Sequence, residues 1–269
     1  MKIRGVDLHI QIKGEGTPFI WAHGLMSSIE GEDLLGWFEW DRFPANIQLV
    51  RYDARGHGKS QPSPRPEDYH WKNLGLDMLA IADAVGAKQF IGGGMSMGCA
   101  TAIYAAIQAP DRIKALVLVL PPTAWETRSA QAKLYRRFAT MGLLLGGGGF
   151  ARMMAGNLGR MLPAWLLQAE QEKLTAGMPQ GLRVIKRKAL WNIMRGAAST
   201  DLPPREEISA LTGIPITIIA WVGDPTHPLS TAEELHRLLP QSELFIAQGY
   251  EEFKTVPQRI RDFVSRYAG

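Results

Sequence analysis

Short runs of hydrophobic, β-branched residues alternate along the chain with longer stretches in which hydrophobic residues recur at helical spacing. This alternation is typical of parallel strands joined by crossover helices. The predicted strands are residues 18–22, 48–52, 89–93, 115–120, 215–221 and 243–247. The predicted helices are residues 74–85, 99–108 and 257–267. The pattern therefore predicts an α/β fold with a mostly parallel, twisted sheet flanked by helices.

Residues 122–204 interrupt the alternation. Six of the eleven methionines fall in this segment, namely Met141, Met153, Met154, Met161, Met178 and Met194. Trp125, Trp165 and Trp191 lie among them, and the four-glycine run 146–149 predicts a hinge or bend. We interpret 122–204 as a helical lid inserted between two core segments, 1–121 and 205–269.

The composition predicts a globular protein, and no metal or cofactor is expected at its site. Of 269 residues, 46% are hydrophobic and 21% are charged, and no apolar run is long enough to span a bilayer. The only cysteine, Cys99, excludes an internal disulfide and a four-cysteine zinc site. Charged residues interrupt the first sixteen positions, so no signal peptide is expected. We therefore predict a cytoplasmic protein with no membrane partner.

The formal charge of +4 does not indicate a nucleic-acid partner. Basic residues are scattered or lie in the mid-chain segment, without an accompanying aromatic and basic module. The predicted partner is a small molecule. The oligomeric state, monomer or homodimer, stays open.

Ser96 follows a predicted strand within Gly94-Met95-Ser96-Met97-Gly98 and precedes a small-residue helix. A sharp strand-to-helix turn of this kind is a nucleophile elbow, which places the serine on strained backbone beside the amides of the helix N-terminus. Side chains at Gly94 and Gly98 are expected to collide with neighbouring backbone. The alternative is an ordinary serine in a tight turn. We predict that Ser96 is a nucleophile.

Two further motifs, Trp21-Ala22-His23-Gly24 and Asp53-Ala54-Arg55-Gly56-His57-Gly58-Lys59-Ser60, precede the elbow in order. Together the three motifs resemble the α/β-hydrolase superfamily, in particular its small capped esterases, enol-lactonases and carbon–carbon bond hydrolases. The resemblance covers nearly the whole chain except the insertion. It implies a lid after the sixth strand, an oxyanion hole formed by the amides of Leu25 and Met97, and loop-pinning roles for His23 and His57.

The resemblance also implies a triad acid and a base. Asp224, four residues before Pro228, matches the family's acid loop, and Glu126 is a weaker substitute because some relatives place the acid there. Where the family has its catalytic histidine, this sequence has Tyr250. A free tyrosine has a pKa near 10 and is about 0.1% ionised at neutral pH, so it cannot replace imidazole without a large shift.

His227, on the acid loop, is an alternative base. Because Pro225 and Pro228 stiffen the loop and His227 lies only three residues after Asp224, we expect it to be poorly placed to bridge that carboxylate and Ser96. Three interpretations of Tyr250 stay open. It is a natural departure that abolished or redirected hydrolysis, an introduced substitution, or a misaligned position with the base elsewhere.

Two functions follow. The first is a cofactor-independent serine hydrolase of a carboxylic ester, lactone or related carbonyl compound, with activity reduced or redirected by Tyr250. The second is a non-hydrolytic relative, such as a lyase, small-molecule receptor or pseudoenzyme, in which Tyr250 donates a hydrogen bond to the ligand.

The lid favours an apolar or aromatic substrate, because methionines adapt to irregular ligand shapes, although packing of the lid explains the same residues equally well. The residues predicted to contact the substrate are Met26, Met95, Trp125 and His227. One of the lid arginines is a candidate for binding a carboxylate, and the others are expected to be solvated. The candidates are Arg128, Arg136, Arg137, Arg152, Arg160, Arg183, Arg187 and Arg195.

Overall fold

The computed structural model describes all residues, 1–269, and contains a seven-stranded sheet with a separate two-stranded hairpin. The hairpin consists of β1 (Lys2–Ile3) and β2 (Val6–Asp7). The strands of the large sheet are β3 (Ile10–Lys13), β4 (Thr17–Ala22), β5 (Ile47–Tyr52), β6 (Phe90–Met95), β7 (Ile113–Val119), β8 (Ile216–Trp221) and β9 (Glu243–Ala247). They are arranged in the order β3-β5-β4-β6-β7-β8-β9. Only β3 is antiparallel to its neighbour, so the predicted mostly parallel sheet is confirmed.

Eleven α-helices surround the sheet or lie in the insertion. They are α1 (Ile29–Leu35), α2 (Trp71–Ala84), α3 (Met97–Gln108), α4 (Arg128–Ala155), α5 (Ala164–Gly177), α6 (Gln180–Arg183), α7 (Arg187–Ala198), α8 (Arg205–Ser209), α9 (Leu229–Leu238), α10 (Tyr250–Phe253) and α11 (Val256–Arg266). No helix is both long enough and apolar enough to cross a bilayer.

Alternate residues of the central strands pack against opposite layers of helices. Ile20 and Leu118 point to the layer formed by α2, α3 and α9, whereas Trp21 and Val117 point to the layer formed by α1 and α11. Strand side chains alternate between the two faces, so a strand buried on both sides is hydrophobic throughout. This explains why the central strands form continuous hydrophobic runs in the sequence.

The insertion consists largely of helices. It follows β7 and contains α4 to α7. If the β1–β2 hairpin is counted as one strand, β7 is the sixth strand, after which the insertion was expected. These helices have a hydrophobic cluster of their own that includes Phe150, Leu190 and Met194. The predicted bend lies at Gly146 alone, where φ is 71° and ψ is 171°, and the next three glycines continue the helix.

Candidate functional site

Ser96 occupies the turn between β6 and α3. Its φ of 55° and ψ of −111° are strained for a residue with a side chain, and its backbone N–H donates to the Val119 carbonyl at 2.9 Å. The turn is tight because a Cβ on Gly94 would lie 2.5 Å from the Gly98 carbonyl carbon, and a Cβ on Gly98 would lie 2.0 Å from the Ala22 oxygen. Only glycine fits at these two positions, so the strain at Ser96 is held by close packing of β6, α3 and β4.

The imidazole of His227 bridges Ser96 and Asp224. Its Nε2 lies 2.9 Å from Ser96 Oγ, and its Nδ1 lies 2.9 Å from Asp224 Oδ2. When Nδ1 carries the proton, its N–H group donates a hydrogen bond to the carboxylate. Nε2 then has a free lone pair that accepts the hydrogen bond of the serine hydroxyl. The three groups therefore have the connectivity of a Ser-His-Asp triad.

The expectation that His227 is poorly placed is wrong, because the loop folds back on itself. Asp224 Oδ1 accepts the backbone N–H groups of Thr226 at 2.8 Å and His227 at 3.0 Å. The acid thus builds a turn that brings the histidine three residues later beside its own carboxylate. Pro225 and Pro228 do not hinder this arrangement, because an aspartate followed by proline favours such a turn and Pro228 immediately precedes α9.

Asp224 is buried, with 1% of its side chain exposed, and is nevertheless held in its charged form. Burial alone would raise the pKa of this carboxyl group. Attraction to His227 and hydrogen bonds from His227 and Thr226 outweigh that cost and place the pKa below its usual range. Asp224 is therefore ionised at neutral pH and is able to stabilise a protonated imidazole.

The structure does not bring Tyr250 to Ser96. The Tyr250 hydroxyl donates instead to Glu170 Oε1 on α5, and Lys173 pairs with the other oxygen of the same carboxylate at 2.8 Å. The hydrogen bond to Glu170 is the main cause that raises the pKa of Tyr250, followed by burial. Tyr250 follows the last strand, as expected. The correction concerns its role, because its hydroxyl ties α10 to the inserted helices instead of bonding Ser96.

Two backbone N–H groups near Ser96 have no acceptor within the protein. Met97 is the first residue of α3, so its N–H has no partner in the helix, and the N–H of Leu25 likewise donates to no protein atom. The loop that carries Leu25 lies against the elbow, because a Cβ on Gly24 would be 3.6 Å from Ser96 Cβ.

His23 and His57 lie beside this loop and have structural hydrogen bonds. His23 Nε2 accepts the Ala54 N–H at 3.0 Å and its Nδ1 donates to the Gly24 carbonyl at 2.7 Å. His57 Nδ1 lies 3.0 Å from the Arg55 carbonyl, and burial lowers the pKa of His57 to about 3. Both side chains pin backbone, as the resemblance implied, and neither contacts Ser96.

The three triad side chains line one wall of a cavity of about 430 Å³. Of 31 lining residues, 19 are hydrophobic, so the cavity is predominantly apolar. Seven methionines line it, five of them from the insertion: Met26, Met95, Met141, Met153, Met154, Met161 and Met178. Leu25 lines the cavity as well, and Arg160 is the only arginine of the insertion that does so.

Two predicted site residues lie elsewhere. Trp125 does not line the cavity; its indole N–H donates to the Pro203 carbonyl at 3.0 Å, and its ring packs under the Arg205 guanidinium. Glu126 is three-quarters exposed and pairs with Arg205 at 2.8 Å, so it is not a substitute acid. Both corrections have one cause: at the start of the insertion, Trp125 and Glu126 contact Pro203 and Arg205, where the insertion ends and α8 begins. No cluster of three or more His, Cys, Asp or Glu side chains is arranged to hold a metal ion.

The family is decided by the sequence of residues 17–253, which matches the model of the alpha/beta hydrolase fold family. The chain belongs to this family. The match covers both the elbow and the acid loop. The assignment agrees with the sheet order, the position of Ser96 between β6 and α3, and the helices inserted after β7.

Relatives and solved structures of the family are similar over most of the chain. A putative carbamate hydrolase, RutD, from Klebsiella pneumoniae (strain 342) is 25% identical over 199 residues, covering 74% of this chain and 72% of that protein. A proline iminopeptidase from Neisseria gonorrhoeae is 23% identical, covering 87% and 82%.

Among solved structures, a thermophilic esterase from Thermogutta terrifontis has a TM-score of 0.80 at 20% identity, covering 98% of this chain and 95% of that chain. The enol-lactonase from Burkholderia xenovorans LB400 has a TM-score of 0.77 at 18% identity, covering 98% and 99%. At these identities, the two structures establish the shared fold.

Proposed function

We propose that this chain is a serine hydrolase of small carboxylic esters, lactones or related carbonyl compounds. Ser96 is the nucleophile, His227 the general base and Asp224 the acid that orients it. The proposal rests on one observation: His227 lies 2.9 Å from both Ser96 Oγ and Asp224 Oδ2. The names of a putative carbamate hydrolase, an esterase and an enol-lactonase support it, because carbamates, esters and lactones each contain a carbonyl group.

The reaction begins when Ser96 Oγ attacks the carbonyl carbon of the substrate while its proton passes to His227 Nε2. The carbonyl oxygen gains the negative charge and accepts hydrogen bonds from the N–H groups of Leu25 and Met97. Each such donor is worth about 10²–10³ in rate, because it is already oriented before the charge develops. The ionised Asp224 stabilises the imidazolium that forms.

The tetrahedral intermediate collapses when His227 returns the proton to the leaving oxygen, and the acyl group stays bound to Ser96. Water then attacks the acyl carbon while His227 Nε2 accepts its proton. The second intermediate expels Ser96 Oγ, which recovers the proton. Each step uses groups of this chain that already lie within hydrogen-bonding distance, so no cofactor enters the proposal.

Residues 122–204 form a lid over this site in the proposal. Five methionines of this segment line the apolar cavity, which supports an apolar acyl or alcohol group as the part of the substrate that is recognised. Met26 and Met95 line the same cavity from the core. The full triad removes the reason for expecting reduced activity.

Turnover of p-nitrophenyl butyrate by single variants tests the proposal. Ser96→Ala and His227→Ala are each expected to lower kcat by about 10³ or more, because each removes a group that acts in every proton transfer. His236→Ala is the matched control, since His236 hydrogen-bonds Ser242 and does not line the cavity. An inactive parent chain that binds apolar ligands in the cavity would favour the non-hydrolytic alternative.

A further inference from the structure

Four exposed hydrophobic side chains lie on two neighbouring segments of the inserted helices. Leu143, Leu144 and Leu145 are 41%, 70% and 46% exposed, and Val184 is 56% exposed. These are four of the seven large hydrophobic residues that are exposed in the whole chain. Single exposed hydrophobic residues are ordinary, whereas a contiguous group marks a contact surface. We refer to these four residues as the lid tip.

Contacts of the backbone hold the two parts of the lid tip together. Arg187 Nη1 donates to the carbonyl oxygens of Leu143 and Leu144, where the first part of α4 ends. A Cβ on Gly147 would lie 2.4 Å from the carbonyl oxygens of Leu182 and Ile185, the residues around Val184. The exposed leucines and Val184 therefore lie on two segments that pack together, because α4 breaks at Gly146 and its backbone approaches the α6–α7 segment closely.

The surface around the lid tip is strongly basic. Residues 122–204 contain twelve Lys and Arg against four Asp and Glu, a formal charge of +8, whereas the rest of the chain has eighteen against twenty-two, a charge of −4. Four exposed basic residues flank Val184: Arg183, Lys186, Arg187 and Lys188. Of the twelve basic residues, only Lys173 has an ion-pair partner, so the charge around the lid tip is not neutralised by the protein.

We propose that the lid tip docks on the surface of an anionic lipid bilayer. Leucine and valine side chains enter the interface between headgroups and acyl chains, and the surrounding Lys and Arg side chains attract anionic headgroups. A second copy of the same surface fits poorly, because two basic faces repel each other. The proposal revises the prediction of no membrane partner, which rested on the lack of a spanning segment.

Docking of this kind would place the cavity wall next to the bilayer. Leu134, Phe138 and Met141 line the cavity from α4, and the same helix continues directly into the exposed leucines. A lipophilic substrate dissolved in the membrane therefore has a short route to the cavity. This last step rests on the proposed function, whereas docking itself does not.

Flotation with vesicles of phosphatidylcholine alone, or mixed equally with phosphatidylglycerol, tests the proposal. The parent chain is expected to float with the mixed vesicles and to be released by about 0.5 M salt, which screens surface charges. Leu144→Ser is expected to weaken binding about tenfold, because the most exposed leucine no longer enters the apolar region. Its matched control is Leu34→Ser, since Leu34 is 46% exposed on α1 outside the lid.

A second variant, Lys186→Glu with Lys188→Glu, is expected to abolish the preference for phosphatidylglycerol without touching the leucines. Ser96→Ala is expected to bind like the parent, so the docking test succeeds or fails independently of hydrolysis. Equal binding to both vesicle types, no binding at all, or equal loss in Leu144→Ser and Leu34→Ser would overturn the proposal. If the parent chain does not bind vesicles but forms a dimer, and Leu144→Ser makes it monomeric, the proposal is overturned and the lid tip contacts a second copy instead.

Discussion

At the residue scale, one turn supplies both the acid and the base of the candidate site. Asp224 Oδ1 accepts three hydrogen bonds from Thr226 and His227, which leaves Oδ2 free to face His227 Nδ1. The carboxylate thus fixes the conformation of the loop as well as the orientation of the imidazole. A change at Asp224 should therefore affect both catalysis and stability.

Asp224→Asn tests the catalytic part of this role. The amide is close in shape to the carboxylate, but it does not favour the imidazole tautomer protonated at Nδ1. Because it is uncharged, it also does not stabilise the positive charge of the imidazolium, so kcat is expected to fall by about 10³–10⁴. Steady-state turnover of p-nitrophenyl butyrate measures it. A fall of less than about tenfold would mean that Asp224 does not orient the base.

The pH dependence of stability tests the charge of Asp224. Its pKa lies below that of an unfolded aspartate, which is near 3.9. Its ionised form therefore stabilises the fold above that pH, and this contribution is lost as the pH falls through the lowered pKa. The difference in unfolding free energy between the parent and Asp224→Asn, measured in urea, should be larger at pH 7 than at pH 3. A difference that grows toward pH 3 would contradict the assignment.

Tyr250→Phe separates the observed role of this side chain from the catalytic one. Removing the hydroxyl deletes its hydrogen bond to the buried Glu170 carboxylate, so the unfolding free energy is expected to fall by about 1–2 kcal/mol. The value of kcat should change by less than about threefold, because the hydroxyl bonds Glu170 and Tyr250 does not line the cavity. A loss of activity comparable with that of His227→Ala would show that Tyr250 takes part in catalysis.

The site residues differed in how far the sequence predicted them. Ser96 and the glycines around it form a local pattern, so the elbow and its tight contacts followed from the motif alone. The position of His227 was predicted wrongly because only its separation from Asp224 along the chain was considered. The Asp224 carboxylate accepts the N–H groups of the residues two and three positions later, and these hydrogen bonds fold the loop back. The available signal was an Asp-Pro pair followed closely by histidine.

At the element scale, the close packing of β4, β6 and α3 positions Ser96. The Ala22 carbonyl oxygen lies 2.0 Å from the position that a Cβ on Gly98 would take, and α3 cannot move away without disturbing the elbow. The strand and helix boundaries of this region were predicted to within a few residues, because the central strands are buried on both faces. The short strands β1 to β3 were not predicted, since most of their residues are exposed and lack a hydrophobic run.

Gly98→Ala is expected to destabilise the protein by at least about 3 kcal/mol, because the new methyl group would lie 2.0 Å from the Ala22 oxygen and the backbone must shift. Urea unfolding followed by circular dichroism measures the change. A variant as stable as the parent would show that α3 is not held against β4.

The glycine run in α4 offers a matched pair. Gly146→Ala is expected to destabilise the protein by about 1–3 kcal/mol, since φ of 71° with ψ of 171° is a backbone conformation that essentially only glycine adopts. Gly148→Ala, two residues later in the helix with open space around it, is expected to be neutral or stabilising by up to about 1 kcal/mol. Thermal unfolding compares the two, and equal effects would argue against a break confined to Gly146.

At the scale of the whole molecule, the inserted helices are attached to the core on the acid-loop side of the site. Trp165 Nε1 donates to the Val222 carbonyl at 3.1 Å, and Glu170 accepts the Tyr250 hydroxyl. These contacts join residues far apart in sequence, which is why the pattern alone predicted a lid but not the residues that attach it to the core. The division into core and lid stays a prediction that these contacts support.

The apolar cavity predicts a preference for longer acyl chains. Each methylene group that leaves water contributes about 0.8 kcal/mol, or roughly a fourfold gain in kcat/KM, until the cavity is filled. A series of p-nitrophenyl esters from acetate to octanoate measures the trend. A flat profile would show that the methionine-lined cavity does not hold the acyl group.

Covalent labelling with a fluorophosphonate tests the central claim most directly, because it reports activation of the Ser96 hydroxyl without assuming a substrate. The account predicts that the parent chain and Tyr250→Phe are labelled at Ser96 at similar rates, as identified by peptide mass spectrometry, and that His227→Ala is labelled at least about 10²-fold more slowly. Labelling that survives in His227→Ala but disappears in Tyr250→Phe would contradict the account.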